Sequence, residues 1–250
     1  MAGGSHPYYP LGADIVGYSP NQTPVLELLV TAGGGCAVLL GLTFALASYV
    51  RPTLCVADRI AILWFVLCMT PPMLPDQDEK NGTNCGLAGT LHCFFEGYFM
   101  LHHEHMASAQ DLFGQLWKEY ALSDSRYMTS DTLVLCMETM TVVSAHSPKL
   151  GPGLSKLNPL TNPIHQLLWG PLCFVVAYLT ATRHSLRHPM QVVVCMSHLY
   201  GDTLYYVTSL FDHYVHDRPY SRPERYYFWV YYFLMNFIWI VVPFCKLSVA

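Results

Sequence analysis

The sequence predicts an all-α protein built as a polytopic membrane bundle of five transmembrane helices. Three observations predict it. Hydrophobic residues make up 52% of the chain and charged residues 12%, against roughly 25% charged in a soluble domain. Three apolar runs, at 25–50, 190–210 and 226–247, are long enough to cross a bilayer. Four shorter apolar runs fall into two pairs, each pair parted by a loop-like stretch. A half-length run cannot span alone, and a break in lipid would strand backbone polar groups. Each pair therefore counts as one interrupted span, and the total is five.

Residues 1–24 read as a polar, irregular N-terminal arm rich in Gly, Pro and Tyr. A basic segment followed by an apolar one is missing there, which argues against a cleaved signal peptide. The helical domain covers 25–247. Its first span, Val25–Val50, carries only Glu27 as a charge and ends at Arg51-Pro52. Gly33-Gly34-Gly35 within it allows a neighbouring helix to approach closely. The second span joins Ile60–Thr70 to Leu87–Leu101 across an insertion at about 69–89. The third joins Thr132–Val143 to Leu167–Thr180 across an insertion at about 144–167. Met190–Leu210 is the fourth. Tyr226–Leu247 is the fifth, dense in the Tyr, Phe and Trp of interface belts. Lys and Arg divide evenly between the two sides, so they set no orientation.

Composition also excludes functions. The net charge is -4, and neither sign clusters as nucleic-acid binding requires. The nine cysteines form no CxxC pair, so neither a zinc site nor a disulfide framework is indicated. Histidines gather at His102-His103-Glu104-His105, His184/His188 and His213/His216. Imidazole clusters bind transition metals, but these lie in loops or at helix ends and lack the repeated boxes of membrane di-iron oxygenases. No metal is expected.

The ionisable and amide groups inside the apolar runs fall at helical spacing. His92 and Glu96 share a helix face, as do Glu138 and Thr141, and Asn236 and Trp239. Tyr200, Asp202 and Tyr205 mark the fourth span. Such groups are costly in lipid and face the bundle interior. Together they predict an embedded pocket with two carboxylates, an imidazole, an amide, a hydroxyl and an indole. Desolvation sets two carboxyls apart as acid and base, and an indole face stabilises a cation. That combination suits adding a proton to an apolar alkene and removing another. Each residue alone has a plainer reading: a structural glutamate, a core histidine, an asparagine bridging helices, a belt tryptophan.

The stretch LWKEYALSDSRYMTSDTLVLCMETMT (116–141) resembles the signature region of the emopamil-binding protein family, the sterol Δ8–Δ7 isomerases with an EXPERA domain. LHCFFEGYFML (91–101), LWGPLCFVVAYL (168–179), SHLYGDTLYYVT (197–208) and YYFWVYYFLMNFIWIVVPF (226–244) extend the likeness. The resemblance implies a five-helix, multi-pass protein of the endoplasmic reticulum membrane. It would move a sterol double bond from C8–C9 to C7–C8 through a carbocation, with no cofactor. Catalysis would fall on His92, Glu96, Glu138, Asn236 and Trp239. Substrate binding would fall on Thr141, on Arg126 and Tyr127 of the DSRY segment, and on Tyr200 and Asp202. The implied partners are a sterol, cationic amphipathic amines that mimic the carbocation, and the lipid bilayer, with a homodimer left open. The alternative is a sterol- or amine-binding membrane protein of the sigma-2 receptor type, without catalysis.

The insertions depart from the family, whose second and third spans run uninterrupted. Either they loop out and the helices close across the gap, or they are translated non-coding stretches. Their Pro-rich, aperiodic content and the abrupt return of the family pattern favour the second reading.

Overall fold

A computed structural model describes residues 6–68, 95–141 and 169–248. Among the described residues all regular structure is helical. The α-helices are α1 (Val25–Val50), α2 (Val56–Leu67), α3 (Gly97–His102), α4 (Leu112–Tyr120), α5 (Thr132–Thr141), α6 (Trp169–Ala181), α7 (Arg187–Val215) and α8 (Met235–Leu247). Short 3₁₀ helices occupy His103–Ser108 and Ser125–Tyr127, and a π-helical stretch, Tyr227–Leu234, runs straight into α8. Val25–Val50 and Tyr227–Leu247 are long and apolar enough to cross a membrane. The run expected at 190–210 lies wholly inside α7, whose polar residues, Asp202 among them, lower its apolarity. The insertions expected at about 69–89 and 144–167 lie outside the described residues, as does His92.

The chain divides into two compact units. One comprises Met1–Ala32, Tyr98–Met137 and His188–Ala250. Its organiser is α4, which the apolar periodicity did not mark as a helix. Asp111 caps it, with Oδ1 accepting from the N–H groups of Phe113 and Gly114, each at 3.1 Å. Those N–H groups have no partner inside the helix, which is why an aspartate stands there. Gly114 has no room for a side chain, because an added Cβ would lie 2.3 Å from that of Ala109.

The N-terminal arm is irregular, as expected, yet firmly fastened to α4. Gln115 Oε1 accepts from the N–H groups of Gln22 (2.9 Å) and Thr23 (2.8 Å), while its Nε2 donates to Thr23 Oγ1 and Gln110 O. Asn21 Nδ2 donates to Gln115 O at 2.9 Å. Lys118 Nζ donates to Ser19 O at 2.8 Å, and the buried Tyr8 donates its hydroxyl to Lys118 O.

The other unit comprises Gly33–Gly97 and Glu138–Arg187. In it α2 packs against α6. Cys55 caps α2 through its sulfur, and Ala61, Phe65 and Cys68 form one buried stripe. Cys173, Val176, Ala177 and Thr180 form the buried stripe of α6. Arg183, at φ 54°, closes α6 with a Schellman turn: His184 N–H reaches Leu179 O and Arg183 N–H reaches Thr180 O. Its guanidinium then donates to Thr53 O.

Two outcomes follow from the arm. Gln115→Leu leaves two shielded N–H groups without an acceptor and is expected to destabilise the unit by about 2–4 kcal/mol. Thermal unfolding in detergent measures the loss, and limited proteolysis should cut first within 6–24. Burial pushes the Lys118 ammonium down to about 8. Its folded value thus lies below its unfolded one, so its charge costs stability below that pH, and the cost fades as pH rises towards the ordinary lysine range. Melting at a series of pH values should show wild type gaining on Lys118→Met above pH 8; parallel curves would contradict this.

Candidate functional site

The DSRY segment forms a closed knot in the first unit. Asp124 caps the 3₁₀ turn Ser125–Tyr127 by accepting from Arg126 N–H. The same carboxylate takes the guanidinium of Arg126, with Nη2 to Oδ2 at 2.6 Å and Nε to Oδ1 at 3.0 Å. Asp124 is 0% and Arg126 2% exposed. Arg126 Nη1 also donates to Thr208 Oγ1 of α7, and the guanidinium lies over the rings of Tyr205 (5.0 Å) and Tyr220 (5.1 Å). The pairing holds the guanidinium well above its ordinary pKa, so it stays charged despite its burial. Backbone bonds add to the knot: Ser125 N–H to Tyr220 O and Arg222 N–H to Leu122 O.

Tyr127 joins an aromatic cluster with Phe99, Trp117 and Tyr120, at ring separations of 5.1, 4.7 and 5.4 Å. Tyr120 carries this cluster to α8. Its hydroxyl stands 3.3 Å from Oδ1 and 3.2 Å from Nδ2 of Asn236. Asn236 Nδ2 also donates to Tyr232 O at 2.6 Å. The amide is thereby fixed in orientation.

Asn236 stands two residues after the π-helical stretch, whose wider turns occur often at functional sites. Pro243, inside α8, has no N–H to give to the carbonyl of Trp239 one turn earlier. The Trp239 ring meets His198 of α7 edge to face at 5.6 Å. Tyr206 of α7 donates to Phe233 O at 2.7 Å. These two contacts make α7 and the last helix antiparallel. Asp202 lies midway between them on α7, one turn from His198. Its Oδ2 is shielded from solvent and accepts no hydrogen bond.

The expected site residues thus divide. Arg126, Tyr127, Asp202, Asn236 and Trp239 belong to the first unit. Tyr200 does too, but it is 64% exposed. Glu96 and Glu138 belong to the second unit. Glu96 is half-buried in a π turn that opens α3, and Glu138 in α5 is 8% exposed. Thr141 is the last residue of α5. Arg126, expected to bind substrate, has its guanidinium engaged by Asp124, Thr208 and two tyrosine rings. Sequence reading passed over His198 and Tyr120. The four-residue step from His198 to Asp202 repeats that from His92 to Glu96 and was the available signal. Among the described residues, no group of three or more His, Cys, Asp and Glu is placed to hold a metal ion. His103 of the histidine-rich run is bonded to Ser130 at 3.0 Å.

Fold and site define an all-helical protein with membrane-length helices and a polar, aromatic seam between its last two. Residues 163–248 match the family model described as EBP: EXPERA (EXPanded EBP superfamily). The 3-beta-hydroxysteroid-Delta(8),Delta(7)-isomerase of Rattus norvegicus is 31% identical over 239 residues, which is 95% of this chain and 84% of the relative. That of Mus musculus is 31% identical over 241 residues, with the same coverage. Isomeliandiol synthase MOI2 of Melia azedarach is 30% identical over 185 residues, 74% of this chain and 73% of the relative. The chain belongs to the EXPERA family of emopamil-binding proteins.

Removing one member of the buried pair leaves the other charged and alone. Arg126→Met is expected to cost about 3–5 kcal/mol, and Asp124→Asn in the same chain should recover part of it. Thermal unfolding of the single and double variants tests the coupling; additive losses would contradict it.

Proposed function

We propose that this chain is a sterol Δ8–Δ7 isomerase that spans the endoplasmic reticulum membrane five times. The observation that carries the reading is its likeness, along 95% of its length, to rodent proteins named for that activity. The five spans would be α1, α2 with α3, α5 with α6, α7, and 227–247. One carboxyl of the Glu96/Glu138 pair, assisted by His92, gives a proton to C9, and the electron pair of the C8–C9 double bond forms the new C–H bond. Positive charge then sits at C8, facing the indole of Trp239, with the second carboxylate nearby. A base takes a C7 proton, and the electrons left behind form the C7–C8 double bond. One proton enters and one leaves, so no oxidant or reductant is consumed. Asn236, whose amide is held by Tyr120 and the Tyr232 carbonyl, and Thr141 complete the proposed set of site residues. Cationic amphipathic amines bind the same site, because an ammonium resembles the C8 cation.

The test is a sterol profile in cells that lack Δ8–Δ7 isomerase. The chain should convert Δ8 to Δ7 sterols. Glu138→Gln should lower turnover at least about 100-fold, the scale of a lost acid–base group, while accumulating in the membrane like wild type. Full turnover by that variant would refute the role of Glu138. A wild-type chain that reaches the membrane and binds sterol but leaves Δ8 sterols unchanged would point to binding without catalysis.

A further inference from the structure

Asp202 differs from the other shielded carboxylates of the first unit. The fully buried carboxylates there have donors: Asp124 has Arg126, and Glu119 has the hydroxyl of Tyr231 at 3.4 Å. Asp202 Oδ2 is shielded from solvent and has none. An acceptor left in that state costs about 1–3 kcal/mol, and more when charged. Native proteins keep such groups for a reason.

Two polar groups that flank it have their hydrogens engaged elsewhere, and the buried hydroxyls of Tyr205 and Tyr232, which have no partner themselves, do not donate to it. Tyr206, one turn on, gives its hydroxyl to Phe233 O. Asn236, on the turn of the last helix level with Asp202, gives its amide hydrogens to Tyr120 and Tyr232 O. No side chain donates to Oδ2 in this arrangement, which leaves it open to a donor that a ligand brings. The surroundings restrict what that ligand is. The neighbouring side chains are chiefly aromatic (Tyr205, Tyr206, Tyr232, Phe233), and a carboxylate rejects anionic lipids. What fits is an apolar body bearing one hydroxyl.

We propose that Asp202 accepts a hydrogen bond from the 3β-hydroxyl on ring A of the sterol and so sets how far the sterol enters the seam. This deepens the isomerase reading and rests on it. The contact between His198 and Trp239 lies one turn from Asp202, about 6 Å along the α7 axis. Two fused six-membered rings separate the ring-A hydroxyl from the C8–C9 bond by a comparable step. With the hydroxyl on Asp202, the developing cation reaches the level of Trp239.

The experiment uses the full chain in lipid nanodiscs and two matched Δ8 sterols, one with the 3β-hydroxyl and one with a 3-ketone, which cannot donate. Wild type should favour the hydroxyl by about 100-fold or more in kcat/KM. Asp202→Leu should abolish the preference, and Asp202→Asn, which adds an N–H donor, should shift it towards the ketone. A ratio is unaffected by partial misfolding, which lowers both substrates alike. An unchanged ratio in Asp202→Leu, or no preference in wild type, overturns the assignment. If wild type turns over neither sterol, equilibrium binding of the radiolabelled pair decides. A hydroxyl preference lost in Asp202→Leu keeps the assignment while the isomerase reading falls. Absence of any binding preference overturns it.

Discussion

The first unit depends on the buried ion pair of Asp124 and Arg126. Two charges withdrawn from water carry a penalty of several kcal/mol each, and mutual attraction offsets it only with good geometry and further hydrogen bonds. Both are present. The carboxylate takes three guanidinium contacts and a backbone N–H, and the guanidinium reaches Thr208 and two phenol rings. The pair therefore does more than neutralise itself. It joins the 121–128 turn to α7 and to the loop after it, segments that lie some eighty residues apart in sequence.

From that knot the order passes outward through aromatic contacts. Tyr127 stacks into the cluster of Phe99, Trp117 and Tyr120, and Tyr120 fixes the amide of Asn236. The proposed chemistry needs an amide that cannot turn, and this route supplies one. On the opposite side of α4, Gln115 and Lys118 fasten the arm that leads into α1. One short helix of nine residues thus links the arm, the buried pair and the last helix.

The seam between α7 and the last helix combines two unlike environments. At one end Trp239 faces His198, and the aromatic rings of 205, 206, 232 and 233 fill the other. Between them sits a shielded carboxylate oxygen of Asp202 that accepts no hydrogen bond. The π-helical stretch and Pro243 bracket Asn236 and Trp239 on the last helix. Both features loosen the ordinary hydrogen-bond ladder where the proposed site residues project.

The sequence by itself determined the helical class and where the long helices lie. Apolar length sets those boundaries, and Val25–Val50 begins and ends where the apolar run does. The ordered motifs WKEY, DSRY and METMT also identified the family, because their residue types and order are specific. Apolar length could not reveal α4, which is short and polar, nor that an arm of turns is bound through Gln115. Nor could it show that Arg126 closes on a carboxylate two residues away and on rings about eighty and ninety-four residues further along, that Tyr200 is exposed, or that His198 meets Trp239. These are long-range pairings of polar and aromatic groups. Local periodicity records which face of a helix is apolar, and only the tertiary structure decides which partner that face meets.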